Sequence, residues 1–217
     1  MRAVAFDLDG LMFNTEGIYV QVAELLLESR GRTLDMQLIA QMMGRPARIA
    51  IPMLIDHYGL TDSVEQIAQE TRTLFMELLP ERLQPMPGLL ELLEALDRNR
   101  WLKAITTSSG RAYVERVLEL AKLPTTFDFL LTAEDVINGK PDPEIYLTAA
   151  SRFGVAPTEL VVLEDSEIGC RAAVAARTQA VAIPGPHNAN AQYPNVALRV
   201  ESLADECLHQ YLGVAVA

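Results

Sequence analysis

The sequence has few cysteines, few basic residues and no long apolar run. Its 217 residues include 2 cysteines, in neither a CxxC pair nor a disulfide framework, so we expect free thiols in a reducing cytoplasm. The 18 Lys and Arg residues against 29 Asp and Glu residues give a net charge of −11, which disfavours nucleic acid and anionic membranes as partners. Acids interrupt the first apolar run, and no stretch reaches the roughly 18–20 apolar residues of a membrane span. A secretory signal and a membrane anchor are therefore not expected.

Short apolar runs alternate with amphipathic helical patterns along most of the chain. The runs that predict strands are 3–6, 101–106, 127–131, 160–163 and 180–183. Helical patterns separate the last four of them. This alternation predicts βαβ units, and so an α/β fold with a doubly wound, parallel, Rossmann-like sheet covered on both faces.

One long segment departs from the alternation. Residues 16–82 carry only helical apolar stripes, the first of which runs through Tyr19, Val22 and Leu26. We therefore predict two domains. Residues 1–15 and 83–217 form the α/β core, and residues 16–82 form an all-helical cap inserted after the first strand.

Two acidic pairs lie where predicted strands end. Asp7 and Asp9 follow the first strand, and Glu164 and Asp165 follow the run at 160–163. Because the carboxyl ends of parallel strands share one edge of the sheet, we expect the pairs to meet there. One carboxylate can attack phosphorus and another can exchange a proton, while the remaining oxygens suit Mg²⁺. Taken singly, the pairs could also be an exposed acidic turn and a helix N-cap.

A hydroxyl segment and a lysine occupy comparable positions. Thr107 and Ser108 follow the predicted strand at 101–106, where hydroxyl and amide groups can bind phosphate. Lys140 lies between Gly139 and Pro141 and can balance the carboxylates. An ordinary helix cap and a solvated lysine are the alternatives. Because all four segments occur together at predicted strand ends, the sequence favours a magnesium-dependent site for phosphoryl transfer.

The segments FDLDG, TSS, GKPDPEIY and LEDSEIG together resemble the phosphohydrolases of the haloacid dehalogenase superfamily. The chain is similar to the subgroup with a helical cap after the first strand, which includes beta-phosphoglucomutase and phosphoglycolate phosphatase. The resemblance implies roles for the residues of these segments. It implies that Asp7 is the nucleophile and that Asp9 is the general acid and base. Thr107 would bind phosphate, and Lys140 would bridge the nucleophile and the phosphoryl group. The implied ligands of Mg²⁺ are Asp165 and Glu164, together with Asp7 and Asp9.

Three positions bear on what the resemblance implies. Asn14 stands where relatives often carry Asp, which affects the hinge rather than the chemistry. Tyr19 stands where the sugar-phosphate mutase has a histidine that assists its acid/base aspartate, so hydrolysis is favoured over mutase activity. Arg45 lies in a cap loop that relatives use to read the substrate, and we expect it to contact the substrate. A solvated arginine at a helix end is the alternative.

These observations lead to one main hypothesis and two alternatives. The main one is a cytoplasmic, monomeric, Mg²⁺-dependent phosphatase that hydrolyses a small phosphate monoester through an aspartyl-phosphate. A sugar-phosphate mutase is the first alternative. The second is a phospho-accepting receiver or binding module without turnover, although such receivers are shorter and have no helical insertion.

Overall fold

The chain divides into two units, and the computed structural model describes residues 2–42, 45, 47–123, 125–185, 188 and 191–215 of it. The first unit is made of Met1–Phe13 and Gln84–Ala217, and the second is Asn14–Leu83. Within the described residues, no helix combines the length and the apolar character needed to cross a membrane.

The second unit is helical, and its described residues include no strand. Its helices are α1 (Thr15–Glu28), α2 (Met36–Met42), α3 (Ala47–Tyr58) and α4 (Val64–Arg82). Apolar residues of all four helices form one core, made of Leu26, Leu27, Leu38, Ile51, Leu54 and Ile67. Helix α4 begins with a capping box, in which Ser63 and Gln66 each bond the other's backbone N–H. The helical stripes of the sequence thus become a separately packed unit.

The first unit is built on a six-stranded sheet. Its strands are β1 (Ala3–Phe6), β2 (Leu102–Thr106), β3 (Phe129–Leu131), β4 (Leu160–Glu164), β5 (Gln179–Ala182) and β6 (Leu198–Arg199). The strand order is β3-β2-β1-β4-β5-β6, and every pairing is parallel. This confirms the predicted doubly wound α/β fold. All four residues of β1 are fully buried at the centre of the sheet, which is why this strand is wholly apolar.

Among the described residues of this unit, five α-helices accompany the sheet. They are α5 (Leu89–Arg98), α6 (Arg111–Ala121), α7 (Glu144–Phe153), α8 (Glu167–Ala175) and α9 (Glu206–Leu212). A common core joins Tyr146 of α7 and Ala172 of α8 to Ala3 and Val162 of the sheet. Because α7 follows β3 and α8 follows β4 along the chain, the segment before each helix leaves the carboxyl end of a strand.

Candidate active site

The site is built on the carboxyl ends of three neighbouring strands. Asp7 follows β1, Thr107 follows β2, and Glu164 ends β4 with Asp165 next to it. The N–H of Asp7 donates to the carbonyl of Leu163 at 3.0 Å, so the pairing of β1 with β4 continues for one residue beyond the strand. This fixes the backbone of Asp7 between β2 and β4, at the position where the strand order reverses.

Lys140 joins these strand ends. Its Nζ donates to Oδ1 of Asp7 at 2.6 Å, to Oε1 of Glu164 at 2.6 Å and to the carbonyl of Thr106 at 3.0 Å. An ammonium group has three N–H donors, and all three are used here. The lysine predicted from the sequence therefore lies beside the predicted nucleophile, and its side chain is only 5% exposed.

Glu164 is completely buried, and both of its carboxylate oxygens accept hydrogen bonds. Oε1 accepts from Lys140 and from the hydroxyl of Tyr146 at 2.8 Å. Oε2 accepts from the backbone N–H of Ser166 at 3.1 Å and from its hydroxyl at 2.9 Å. A carboxylate has about four acceptor positions, and these donors occupy that number. Glu164 in this arrangement holds Lys140 rather than facing an open space.

Burial and charge act in opposite directions on the central pair. Burial raises the pKa of Asp7 to about 8; Lys140 counteracts this, while Glu164 and Asp9 raise the pKa further. Burial lowers the pKa of Lys140, but the adjacent Asp7 and Glu164 carboxylates raise it well above its usual value. Lys140 therefore stays charged at neutral pH.

The loop that carries Lys140 is held by the first turn of α7. The carboxylate of Glu144 accepts from the backbone N–H of Ile137 at 2.7 Å and from that of Asn138 at 2.9 Å. The side chain of Asn138 adds a third bond at 3.1 Å. These bonds fix the backbone two residues before Lys140, so the lysine reaches the strand ends from a constrained loop.

Asp9 lies in a tight turn after β1. Gly10 has a φ of +81°, a left-handed conformation that favours glycine, and its N–H donates to the carbonyl of Phe13 at 2.9 Å. The hydroxyl of Tyr113 donates to Oδ1 of Asp9 at 2.7 Å, and the hydroxyl of Ser109 donates to Oδ2 at 2.6 Å. Both oxygens of the predicted acid/base are thus held by side chains near the start of α6.

Thr107 is buried, and Ser108 beside it is exposed. The hydroxyl oxygen of Thr107 accepts from the backbone N–H of Ser109 at 3.0 Å. Helix α6 begins only at Arg111, so the hydroxyl segment precedes the helix instead of forming its first turn.

Asp165 is buried and forms hydrogen bonds with two residues later in the chain. Its Oδ2 accepts from the side-chain amide of Asn188 at 3.0 Å, and its carbonyl accepts from the hydroxyl of Tyr193 at 2.7 Å. Among the described residues, no three His, Cys, Asp or Glu side chains are arranged as a set that could hold a metal ion. The hard carboxylate oxygens of Asp7 and Asp165 nevertheless are the donors that Mg²⁺ prefers.

Arg45 belongs to the helical unit and is exposed. Its Nε donates to the carbonyl of Gln41 at 2.7 Å, one turn back along the chain. Its expected contact with the substrate stays a prediction.

The sequence did not predict that four polar side chains of the site hold its carboxylates. Tyr146 and Ser166 hold Glu164, and Tyr113 and Ser109 hold Asp9. The two tyrosines lie in amphipathic helices, where an aromatic residue indicates packing. Ser109 and Ser166 lie within the segments TSS and LEDSEIG, so those segments were the available signal.

Comparisons with known proteins find similarity over most of the chain. A family model described as haloacid dehalogenase-like hydrolase matches residues 4–183. A phosphorylated carbohydrates phosphatase of Thermotoga maritima is 36% identical over 180 residues, which are 81% of this chain and 82% of that protein. A protein named as a probable pseudouridine-5'-phosphatase of Drosophila melanogaster is 35% identical over 206 residues, which are 92% of this chain and 89% of that protein. A solved HAD family hydrolase from Deinococcus radiodurans R1, with bound phosphate and sodium, has a TM-score of 0.82 at 25% identity and covers 100% of this chain and 99% of its own.

Proposed function

We propose that this chain, which belongs to the haloacid dehalogenase-like hydrolases, hydrolyses a small phosphate monoester through an aspartyl-phosphate intermediate. The observation that carries the proposal is the 2.6 Å contact between Nζ of Lys140 and Oδ1 of Asp7. It sets a carboxylate that can act as a nucleophile beside a buried cation at the end of the central strand. Such a pair can bind an anionic substrate and stabilise the charge of its transition state.

The reaction has two steps. In the first, an oxygen of Asp7 attacks phosphorus, the bond from phosphorus to the ester oxygen breaks, and Asp9 gives its proton to the departing alcohol. In the second, Asp9 takes a proton from a water molecule whose oxygen attacks the phosphorus of the aspartyl-phosphate. The bond from phosphorus to the Asp7 oxygen breaks, so inorganic phosphate leaves and both aspartates regain their starting states. Lys140 offsets the negative charge of the phosphoryl oxygens in both steps.

Thr107 and Ser108 are the proposed phosphate ligands. The oxygen of the Thr107 hydroxyl already accepts a bond from the N–H of Ser109, which leaves the hydroxyl proton to be donated. Thr107 directly follows β2, the neighbour of the strand that precedes Asp7. This relationship supports a phosphoryl group bound at the ends of both strands.

Mg²⁺ is the proposed cofactor, because the carboxylate oxygens of the site are donors of the kind that bind it. Four carboxyl groups and one ammonium group make up the site, so a divalent cation would offset charge that Lys140 leaves unbalanced. Asp7 and Asp165 would hold the ion, with the backbone carbonyl of Asp9. Glu164, the remaining predicted ligand, would act through Lys140 or through water, because protein donors take up its oxygens. When bound, the ion would supply further positive charge against the phosphoryl oxygens.

A phosphorylated sugar or nucleoside is the substrate class that we propose. Two relatives at 35–36% identity are named as phosphatases of phosphorylated carbohydrates and of pseudouridine 5'-phosphate. Arg45 is the proposed contact outside the α/β unit, since its exposed guanidinium can bind a polar or anionic part of the substrate. The cytoplasmic location and the monomeric state stay predictions.

The test is a phosphate-release assay over a panel of sugar phosphates and nucleotides, with Mg²⁺ and with EDTA. We expect release with at least one ester, dependence on Mg²⁺, and loss of turnover by a factor of about 10³ or more in Asp7→Asn. Asp56→Asn, which removes an exposed carboxylate from α3, is the matched control and should retain wild-type turnover. Wild-type turnover by Asp7→Asn would show that the proposed nucleophile is wrong.

The same assay separates the alternatives. A mutase would yield an isomerised sugar phosphate with little inorganic phosphate. A receiver would form a long-lived aspartyl-phosphate without multiple turnover. The proposed hydrolase instead releases phosphate in the amount of ester consumed.

A further inference from the structure

Two hydroxyl groups fix both oxygens of Asp9. The phenol of Tyr113 donates to Oδ1 at 2.7 Å, and the hydroxyl of Ser109 donates to Oδ2 at 2.6 Å. These distances are at the short end for O–H···O bonds, as is common when the acceptor is a carboxylate. We propose that Tyr113 and Ser109 are positioning residues, which hold the Asp9 carboxyl group in the orientation needed to give a proton to the leaving oxygen.

The donors are themselves held in place. The carbonyl of Ser109 accepts from the N–H of Ala133 at 3.1 Å. At the start of α6, the N–H of Arg111 donates to the carboxylate of Glu134 at 3.1 and 3.2 Å, and its guanidinium bonds Asp135 at 2.6 Å. Tyr113 lies in this same first turn. The two hydroxyls therefore extend from backbone that is bonded to the segment after β3.

Positioning matters more for Asp9 than for Asp7. The backbone of Asp7 continues the β1–β4 pairing, whereas Asp9 lies three residues beyond the strand in a turn that depends on a left-handed Gly10. A carboxyl group on such a turn can rotate about its side-chain torsions unless other groups hold it. A general acid contributes only when its proton lies within hydrogen-bond reach of the leaving oxygen. Each oxygen of Asp9 has a second acceptor position that these bonds do not use, so the group can still meet a substrate.

This inference rests on the proposed function and predicts a specific pattern of rate loss. Protonation helps a poor leaving group more than a good one. Removal of either hydroxyl should therefore lower kcat/KM more for phenyl phosphate than for p-nitrophenyl phosphate, whose leaving group is the stronger acid. A mere loss of folded protein would lower the apparent kcat/KM for both esters by the same factor.

The experiment measures kcat and KM for these two esters with Tyr113→Phe, Ser109→Ala and the double variant. We expect the ratio of kcat/KM between the esters to change by about 10-fold in each single variant. Tyr211→Phe is the matched control. It removes a phenol on α9 that is bonded to Gln179 at 2.8 Å, and it should leave the ratio unchanged. Urea unfolding of every variant shows how much protein is folded in the assay.

Equal losses on both esters, or no loss, would overturn the positioning role. Asp9→Asn distinguishes this failure from failure of the proposed function. If Asp9→Asn loses turnover while Tyr113→Phe and Ser109→Ala keep the wild-type ratio, only the positioning role is wrong. If Asp9→Asn keeps wild-type turnover on both esters, the acid/base assignment itself is wrong.

Discussion

Gly169 lies directly against the carboxylate of Glu164. A Cβ atom built on Gly169 would lie 1.8 Å from Oε1 of Glu164, closer than any real contact permits. Glu164 is fully buried and bonded to Lys140, Tyr146 and Ser166, so it cannot simply rotate away. The absence of a side chain in the first turn of α8 is thus what allows Glu164 to hold Lys140.

Gly169→Ala should therefore lower activity without touching any reacting group. Displacement of Glu164 would shift Lys140, and a misplacement of about 1 Å can lower kcat by a factor of about 10². Gly17→Ala is the matched control, because a Cβ there meets no atom within 4 Å and its position in α1 tolerates alanine. Wild-type kcat in Gly169→Ala would mean that the position of Glu164 does not matter for Lys140.

Replacement of Lys140 should lower turnover. Lys140→Met removes the cation beside Asp7 and leaves Glu164 buried without its ion partner. We expect kcat to fall by a factor of about 10²–10³, as when an electrostatic donor is lost from an active site. Lys122→Met, at the exposed end of α6, is the control for loss of a positive charge. Comparable kcat values in the two variants would contradict the role of Lys140.

Substitution of Gly88 should strongly affect folding. It precedes α5 with a φ of +86°, and an added Cβ would lie 2.2 Å from the backbone N of Ala204. Gly88→Ala should lower the free energy of unfolding by about 3 kcal/mol or more, because backbone atoms must move. Gly154→Ala has a similar φ of +68° but no atom within 4 Å, so it should cost only about 1–2 kcal/mol. Urea unfolding of both variants measures the difference, and equal losses would rule out the overlap with Ala204.

The loop before Lys140 should add a defined acid dependence to stability. The N–H groups of Ile137 and Asn138 lower the pKa of Glu144 below its usual 4.5. Because the pKa is lower in the folded state, the ionised carboxylate stabilises the fold above its unfolded pKa, and this stability is lost as the pH falls through its folded pKa.

Glu144→Gln removes this contribution. The difference in free energy of unfolding between wild type and variant should be constant above about pH 5.5 and should shrink at lower pH. Urea unfolding at a series of pH values checks this. A difference that stays constant down to pH 3 would mean that the carboxylate gains nothing from these bonds.

The sequence predicted the parallel sheet well because β1 is wholly apolar and β4 is apolar except for its last residue, Glu164. The predicted strand at 3–6 is β1, and the predicted bounds of β2 to β5 differ from the observed ones by at most two residues. Strand β6 was not predicted. It consists of Leu198 and Arg199 alone, and two residues cannot show an apolar run; their pairing with β5 defines the strand.

Residues of the site could be predicted from the sequence only where they follow a predicted strand, because such positions lie at the carboxyl edge of the sheet. The sequence pattern predicts that Asp7 and Lys140 lie at one edge of the sheet, and in the structure Nζ of Lys140 lies 2.6 Å from Oδ1 of Asp7. The hydroxyl contacts of Tyr113 and Tyr146 could not be predicted, since the sequence pattern of an aromatic residue in an amphipathic helix is the same whether its hydroxyl is bonded or solvated. Which acceptor each hydroxyl meets depends on how α6 and α7 pack, and that is a property of the whole sheet.

The central place of β1 has a consequence for synthesis on the ribosome. This strand leaves the ribosome before the other described strands of the sheet, yet the strands on either side of it, β2 and β4, are more than 90 residues further along the chain. Until Leu160–Glu164 has been translated, Ala3–Phe6 lacks one neighbour and its apolar side chains have no complete sheet to enter. Asp7, at the end of that strand, therefore takes its final place late, after the segment Asn14–Leu83 has long been available to fold by itself.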